Sequence, residues 1–239
     1  MSNPLDARPV IVALAGPNGS GKTTFYHSHL QPAGLRFINT DVLAQELGLD
    51  PYDAAKVADR LRRELVAQRE SFVFETVFSD PVGGKLTFLK EAARIGYAVV
   101  LCFIGVAGPD VCEERVAMRV SQGGHDVPPE KLAARYPRTL GNLQAAIREL
   151  PHVWIFDNSD LRIPFKLIAV FQGGRLAILN KPAPRWLHAQ ALHIILLRLN
   201  CSTSLDSAGA HLRRCAPVEL IRNRFWTERH MLLENGIEV

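Results

Sequence analysis

The chain has 239 residues, of which 47% are hydrophobic, 22% charged and 8% aromatic, with a formal net charge of +4. These values exclude a wholly disordered, collagenous or disulfide-scaffold protein. Residues 1–180 hold 20 Lys and Arg against 19 Asp and Glu, and residues 181–239 hold 8 against 5, so the basic excess sits mostly in the last quarter.

The first segment, Met-Ser-Asn-Pro-Leu-Asp, has no basic stretch followed by an apolar one. No apolar run reaches the roughly 20 residues that span a bilayer. The expectation is a cytoplasmic protein with no membrane partner. A nearly neutral body offers little field to a phosphate backbone, which argues against nucleic acid as partner. Cys102, Cys112, Cys201 and Cys215 show no CxxC or Cys/His spacing and read as reduced thiols rather than metal ligands.

In chain order, residues 9–15 are a continuous apolar run ending at a glycine, the pattern of a strand buried on both faces. Gly16-Pro17-Asn18-Gly19-Ser20-Gly21-Lys22-Thr23 then fits GxxxxGK[ST] at every position, and a helix is predicted over 22–30. Glycines let successive backbone N–H groups turn inward toward phosphate oxygens. Lys22 supplies a point charge to the β/γ-phosphates, and Thr23, followed by Thr24, offers a hydroxyl to Mg²⁺. ATP or GTP with Mg²⁺ is the cofactor this implies.

Arg36–Ile38 is a weak strand leading through Asn39-Thr40 to Asp41, where a helix over 41–48 begins. Asp41 suits three roles: base or orienting group for an attacking hydroxyl, holder of a magnesium water, or helix N-cap. Pro51 opens an amphipathic helix over 51–69 with Val57, Leu61 and Leu65 on its apolar stripe. Phe72–Phe74 is a buried strand ending in Glu75 and Thr76. A carboxylate there is costly to bury unpaired, so it faces a polar cleft and suits substrate hydroxyls or Mg²⁺, or it marks an exposed strand end.

A helix over 82–95 and an apolar strand over 98–106 follow, then a helix over 109–121. Its end runs into Gly123-Gly124-His125 and Pro128-Pro129 before a helix over 132–149. Arg115 and Arg119 are four apart, Arg135 and Arg138 three apart, so each pair shares a helix face. Guanidiniums on a hinged segment, about 119–138, can surround a moving phosphoryl group when a lid closes. Arg119, Arg135 and Arg138 are the candidates; Arg115 reads as a solvated helix residue, and His125 as a loop-ordering group. Strand 153–156 ends in Asp157-Asn158-Ser159, a turn composition that also lies where a nucleotide base or the adjoining loop could be touched. Two short strands within 165–180, joined at Gly173-Gly174, form a hairpin at the sheet edge.

Alternating strands and helices to residue 157 predict a three-layer α/β fold with a mainly parallel sheet, the P-loop kinase arrangement. The guanine-reading Asn-Lys-x-Asp of GTPases is absent. The segments in order resemble the zeta toxin family of P-loop kinases over about residues 9–187. The resemblance rests on Ala-Gly-Pro-Asn-Gly-Ser-Gly-Lys-Thr-Thr, Phe-Ile-Asn-Thr-Asp at 37–41 and Ser-Phe-Val-Phe-Glu-Thr at 71–76. It continues in Arg119-Val120-x-x-Gly-Gly-His-x-Val-Pro, Arg135-Tyr-Pro-Arg138 and Asp157-Asn-Ser.

The resemblance implies phosphorylation of a hydroxyl on a small molecule, best known for UDP-N-acetylglucosamine. By motif, Lys22 and Thr23 would bind phosphate and Mg²⁺, Asp41 would be the base, and Glu75 would contact the acceptor with Thr76 beside it. Arg119, Arg135 or Arg138 would stabilise transferred charge, and Asn158 would sit near the nucleotide. An antitoxin partner does not carry over. A polynucleotide 5′-hydroxyl kinase and a nucleotide-gated protein-binding module are the alternatives. The expected organisation is a kinase domain over 1–187 and a tail over 188–239 that is poorly ordered, short helical or non-native.

Overall fold

Five strands, β1 (Val10–Ala15), β2 (Arg36–Ile38), β3 (Phe72–Thr76), β4 (Ala98–Gly105) and β5 (His152–Asp157), pair in parallel. β6 (Lys166–Gln172) and β7 (Arg175–Leu179) add an antiparallel hairpin at one edge. In this computed structural model, which describes residues 3–121 and 127–187, the seven strands lie in the order β2-β3-β1-β4-β5-β6-β7. The chain leaves central β1 toward one edge and later returns to its other side with β4. That reversal opens a crevice at the carboxyl ends of β1, β3 and β4, the usual ligand site of such sheets.

The apolar run of β1 has a simple cause: all six of its residues are buried. Side chains alternate faces along a strand. Ile11, Ala13 and Ala15 therefore join one core, with Leu65, Leu89 and Leu143 from the helices on that side. Val10, Val12 and Leu14 join a second core with Phe25, Leu30 and Phe156. This is the three-layer mixed α/β fold of the P-loop kinases.

The helices are α1 (Lys22–Phe25), which loosens into a π-helical turn over Tyr26–Leu30, α2 (Thr40–Leu47), α3 (Pro51–Ala67), α4 (Gly84–Arg94), α5 (Pro109–Ser121) and α6 (Pro129–Glu149). Asp50 caps α3 by accepting from the backbone N–H groups of Tyr52 and Asp53, with Pro51 in the first turn. Position 51 needs no intrahelical donor, so the proline fits without cost. α6 starts at Pro129, before the expected residue 132, for the same reason, and it runs on through Pro137.

The buried stripe of α3 differs from the expected one. Ala54, Ala58, Arg62 and Leu65 are buried, while Val57 and Leu61 are only partly covered. The small alanines let the helix approach the sheet, and a charged residue occupies a core-facing position that a hydropathy pattern assigns to an apolar one.

Trp186 and Leu187 close the first core at 7% and 2% exposure. The Trp186 indole donates to Asp157 Oδ1 at 2.9 Å, and its ring covers Gly105 so closely that a β-carbon there would lie 2.1 Å from it. Expectations for His125 and for the 188–239 tail, with Cys201 and Cys215, fall outside the described residues. Cys102 and Cys112 are free and buried; burial pushes the Cys112 thiol up to about 11. Among the described residues no helix is long and apolar enough to cross a membrane.

Candidate functional site

The P-loop wraps the carboxyl end of β1. Gly16 adopts φ 147°, and a β-carbon there would sit 2.2 Å from the Ile104 carbonyl oxygen, so only glycine lets the loop leave the strand beside β4. Gly21, at φ 90°, begins α1. The Lys22 ammonium is buried and donates to the Pro17 carbonyl at 3.0 Å. Burial lowers its pKa below the ordinary lysine value, against the opposing pull of Glu75 and Asp41. Asn18 Oδ1 and Ser20 Oγ are buried side-chain oxygens with no hydrogen-bond partner.

Strand register delivers the carboxylates. Leu14 pairs with Glu75 and Ala15 with Thr76, which sets Glu75 beside the P-loop. Its Oε1 lies 3.7 Å from Lys22 Nζ, and its Oε2 accepts from Thr23 Oγ1 at 2.8 Å and from Asn39 Nδ2 at 3.1 Å. Ile38 pairs with Phe74 on the next strand, which carries Asn39 to that position. Asn39 also caps α2 through Oδ1, accepting from the N–H groups of Asp41 and Val42. The cap is therefore Asn39, and the Asp41 carboxyl stays in the exposed mouth of the cleft.

The cleft has a volume of about 710 Å³. Its walls bring together Lys22, Thr23, Asp41 and Glu75 with Arg119, Arg135 and Arg138; Asn18, Gly19, Gly21, Thr24 and Thr76 also line it. Arg119 lies close enough to Lys22 to help depress its pKa. Val116, Val127 and Leu132 form a small cluster of their own where α5 meets α6, so the arginine-bearing hairpin has a core separate from the sheet.

Gly16, Pro17, Ser20 and Asn158 do not line the cleft; they build it from behind. Asn158 is 3% exposed. Its Nδ2 donates to the Ser20 carbonyl at 2.9 Å and its Oδ1 accepts from the Phe165 N–H at 3.3 Å. Of the two contacts open to it in the sequence, the structure shows the one to the adjoining loop. Arg115 departs from the solvated reading: Nη2 donates to the carbonyls of Asn158 at 2.8 Å and Ser159 at 3.2 Å, and Nη1 reaches the Gly19 carbonyl at 3.5 Å. It clamps the P-loop to the end of β5.

Three groups were invisible to motif reading. Arg62, 3% exposed, pairs with Asp59, and its guanidinium lies over the Phe74 ring, 5.0 Å from its centroid. Thr139 and Asn142, on α6, hold the loop after β3. Thr139 Oγ1 donates to the Val77 carbonyl at 3.0 Å, and Asn142 Nδ2 donates to the carbonyls of Phe78 at 2.9 Å and Asp80 at 3.0 Å. That loop contains Phe78 at φ 60°, a left-handed conformation costly for a bulky residue and kept only where surrounding contacts impose it.

The residues fit a nucleotide and a hard cation. A loop that only glycines can form and a buried cation beside it make a phosphate cradle. Thr23 hydroxyl and Glu75 carboxylate are the oxygen donors Mg²⁺ takes.

The AAA domain family matches residues 11–136, from β1 to within α6 and more than half of the chain. The chain belongs to the AAA domain family. Within this AAA domain match lie the P-loop, Asp41, Glu75, Arg119 and Arg135; Arg138 and Asn158 fall beyond it. An uncharacterized protein of Haemophilus influenzae is 29% identical over 130 residues, 52% of this chain and 91% of that one. Among solved structures, AvrRxo1-ORF1:-ORF2 with ATP is similar at TM-score 0.58 and 18% identity, over 85% of this chain and 66% of that one. A chain of the PezAT chromosomal toxin–antitoxin system of Streptococcus pneumoniae shows TM-score 0.46 and 16% identity, over 92% of this chain and 88% of that one. The AAA domain chain thus spans just under two thirds of the AvrRxo1 structure, and that likeness is of fold.

Proposed function

We propose that this AAA domain protein is an ATP-dependent kinase that transfers the γ-phosphoryl group to a hydroxyl of a small molecule such as a nucleotide sugar, in the manner of the zeta toxins. The observation that carries the reading is the meeting of Lys22, Thr23 and Glu75 in one cleft with Asp41 and three lid arginines. A P-loop that served only as a nucleotide gate would need no exposed carboxylate facing it and no guanidiniums across from it.

In this reading Lys22 swings from the Pro17 carbonyl to the β/γ-phosphates, and the P-loop N–H groups hold the phosphate chain. Thr23 and Glu75 would hold Mg²⁺, which, when bound, neutralises charge on the β- and γ-oxygens. Asp41 orients the acceptor hydroxyl and takes its proton as the new P–O bond forms and the bond to the ADP oxygen breaks. Arg119, Arg135 and Arg138 stabilise the charge spread over the transferred group, more strongly as the lid excludes water. Thr76 sits beside Glu75 to meet the acceptor, and residues 1–187 form the working domain.

The test is a mass-spectrometric metabolite screen with γ-labelled ATP. It should find an acceptor whose phosphorylation is abolished by Lys22→Ala and by Asp41→Asn. Full activity in both variants would overturn the mechanism.

A further inference from the structure

Asp41 and Glu75 must stand in a set relation for the reaction proposed above, yet the segment that carries Asp41 is loosely built. β2 is an edge strand of three residues, and its pairing with β3 ends at Ile38 opposite Phe74. α2, which follows, has no fully buried residue, and partly buried Leu43 is its contact with the first core. Apolar packing therefore does little to fix where the first turn of α2 points. A polar tie has to do it.

Asn39 lies at that joint. It is 7% exposed and, unlike Thr40, Asp41 and Glu75, is not part of the cleft wall. Both ends of its amide are committed: Oδ1 accepts from the N–H groups of Asp41 at 2.8 Å and Val42 at 3.4 Å, and Nδ2 donates to Glu75 Oε2 at 3.1 Å. These partners fix the amide's orientation, since the N–H groups need an acceptor and the carboxylate a donor. Asp and Ser cap a helix as well as Asn does, so the cap alone does not call for asparagine. An ionised Asp has no donor for Glu75, and a Ser hydroxyl is too short to span from the cap to the next strand. The same Glu75 oxygen accepts from Thr23 at 2.8 Å, and Oε1 faces Lys22 at 3.7 Å. The amide thus ties the turn bearing Asp41 to a carboxylate already registered on the P-loop.

We infer that Asn39 is a positioning residue: its amide holds Asp41 and Glu75 in fixed relation, so that an acceptor hydroxyl at Asp41 faces the phosphate held at Lys22 and Thr23. This rests on the kinase reading and adds to it a residue that acts through Asp41 and Glu75 rather than by touching nucleotide or acceptor. Without the bond to Glu75, two things loosen together. Glu75 gains rotamers that are useless for holding a cation with Thr23, and α2 loses its tie to β3. A misplacement of about 1 Å, even from a residue outside the chemistry, costs on the order of a hundredfold in rate.

Asn39→Ser tests it, because serine keeps a cap for α2 and gives up only the bond to Glu75. Far-UV circular dichroism should match wild type, and Asn39→Thr, which caps in the same way, replaces the serine variant if that one folds poorly. Transfer from labelled ATP is followed to UDP-N-acetylglucosamine, or to the hit of the metabolite screen where that differs, at saturating Mg²⁺. The kcat should fall by about tenfold to a hundredfold, the scale of a hydrogen bond to a charged group, while KM for ATP stays within about twofold. In a Glu75→Ala background the same change should cost less than about threefold, since the bond it removes is already gone. An unchanged kcat, or an equal loss with and without Glu75, overturns the positioning role and leaves the kinase reading standing. Transfer to no compound refutes the kinase reading instead. The hold of Asn39 on Glu75 is then decided by calorimetry of the β,γ-imido analogue of ATP with and without Mg²⁺. The tightening that Mg²⁺ confers on wild type should shrink about tenfold in Asn39→Ser, with affinity in EDTA within about twofold of wild type. Tightening equal to wild type, or affinity lost equally in EDTA, removes the positioning role.

Discussion

Asn158→Ala separates a structural role for this residue from contact with the nucleotide base. The substitution leaves the Ser20 carbonyl and the Phe165 N–H without their side-chain partners in a place where the replaced residue is 3% exposed. Each buried group left unpaired costs about 1–3 kcal/mol, so the pair costs about 2–6 kcal/mol. In a domain of this size 1 kcal/mol moves Tm by about 2–4 °C, which predicts a fall on the order of 5–20 °C without nucleotide. Asn158→Asp is the sharper variant. It retains the acceptor facing Phe165 but turns an oxygen toward the Ser20 carbonyl, so it should melt no higher than the alanine variant. Thermal unfolding with and without MgATP reads both, and the loosened loop should also weaken ATP and GTP together. If Asn158→Ala melts within about 1 °C of wild type and shifts the ratio of ATP to GTP affinity, the residue reads the base and the buttress argument fails.

Three further outcomes follow from the site. Lys22→Met should melt at or above wild type near neutral pH without nucleotide and lose the stabilisation by MgATP. Burial depresses Lys22's folded pKa, so the unfolded chain holds this proton to higher pH. The penalty is present in full below the folded pKa and fades as pH rises through it toward the ordinary lysine value. The gap between variant and wild type should therefore narrow under alkali, and a variant far less stable than wild type at pH 7 would contradict this. Asp41→Asn should lower transfer by about 10²–10⁴-fold while nucleotide affinity stays within a few fold; a parallel loss of binding would show Asp41 holding the nucleotide instead. Gly105→Ala drives a methyl into the Trp186 ring, breaks the indole bond to Asp157 and should lower Tm by about 5 °C or more with a tryptophan emission shift. An unchanged spectrum would mean the 184–187 segment does not seal the domain.

The parts of the site carried by single segments were legible in the sequence. The P-loop announces its own geometry because glycines at fixed spacing permit only one kind of turn, Glu75 stands out as a carboxylate closing an apolar strand, and Asp41 as one just past the end of β2. What could not be read was set by contacts far apart in the chain. Arg62 occupies a helix stripe whose period it does not disturb, since Ala54 and Ala58 are too small to mark the buried face and Leu61 and Leu65 beside it supply the apolar signal. Arg115 looks like any helical arginine until Gly19 and Asn158 are brought to it by β1 and β5. Asn39 rather than Asp41 is the cap because α2 starts at Thr40, one residue before the expected start, and the Asn39 amide also reaches Glu75, a bond that depends on β2 lying beside β3. The sheet order itself, with β3 inserted between β2 and β1, follows from packing rather than from any local pattern.

The grip of α6 on the loop after β3 makes two events mechanically one. Arg138 precedes Thr139 by a single residue, so a rotation of α6 that advances its arginines also pulls on the carbonyls of Val77, Phe78 and Asp80. In the proposed mechanism, delivery of charge to the donor side and tightening of the loop at Asp80 would share one lever. A kinase wired this way would waste little ATP on water, because the helix that completes its charge complement would also hold the wall of the acceptor's side of the cleft.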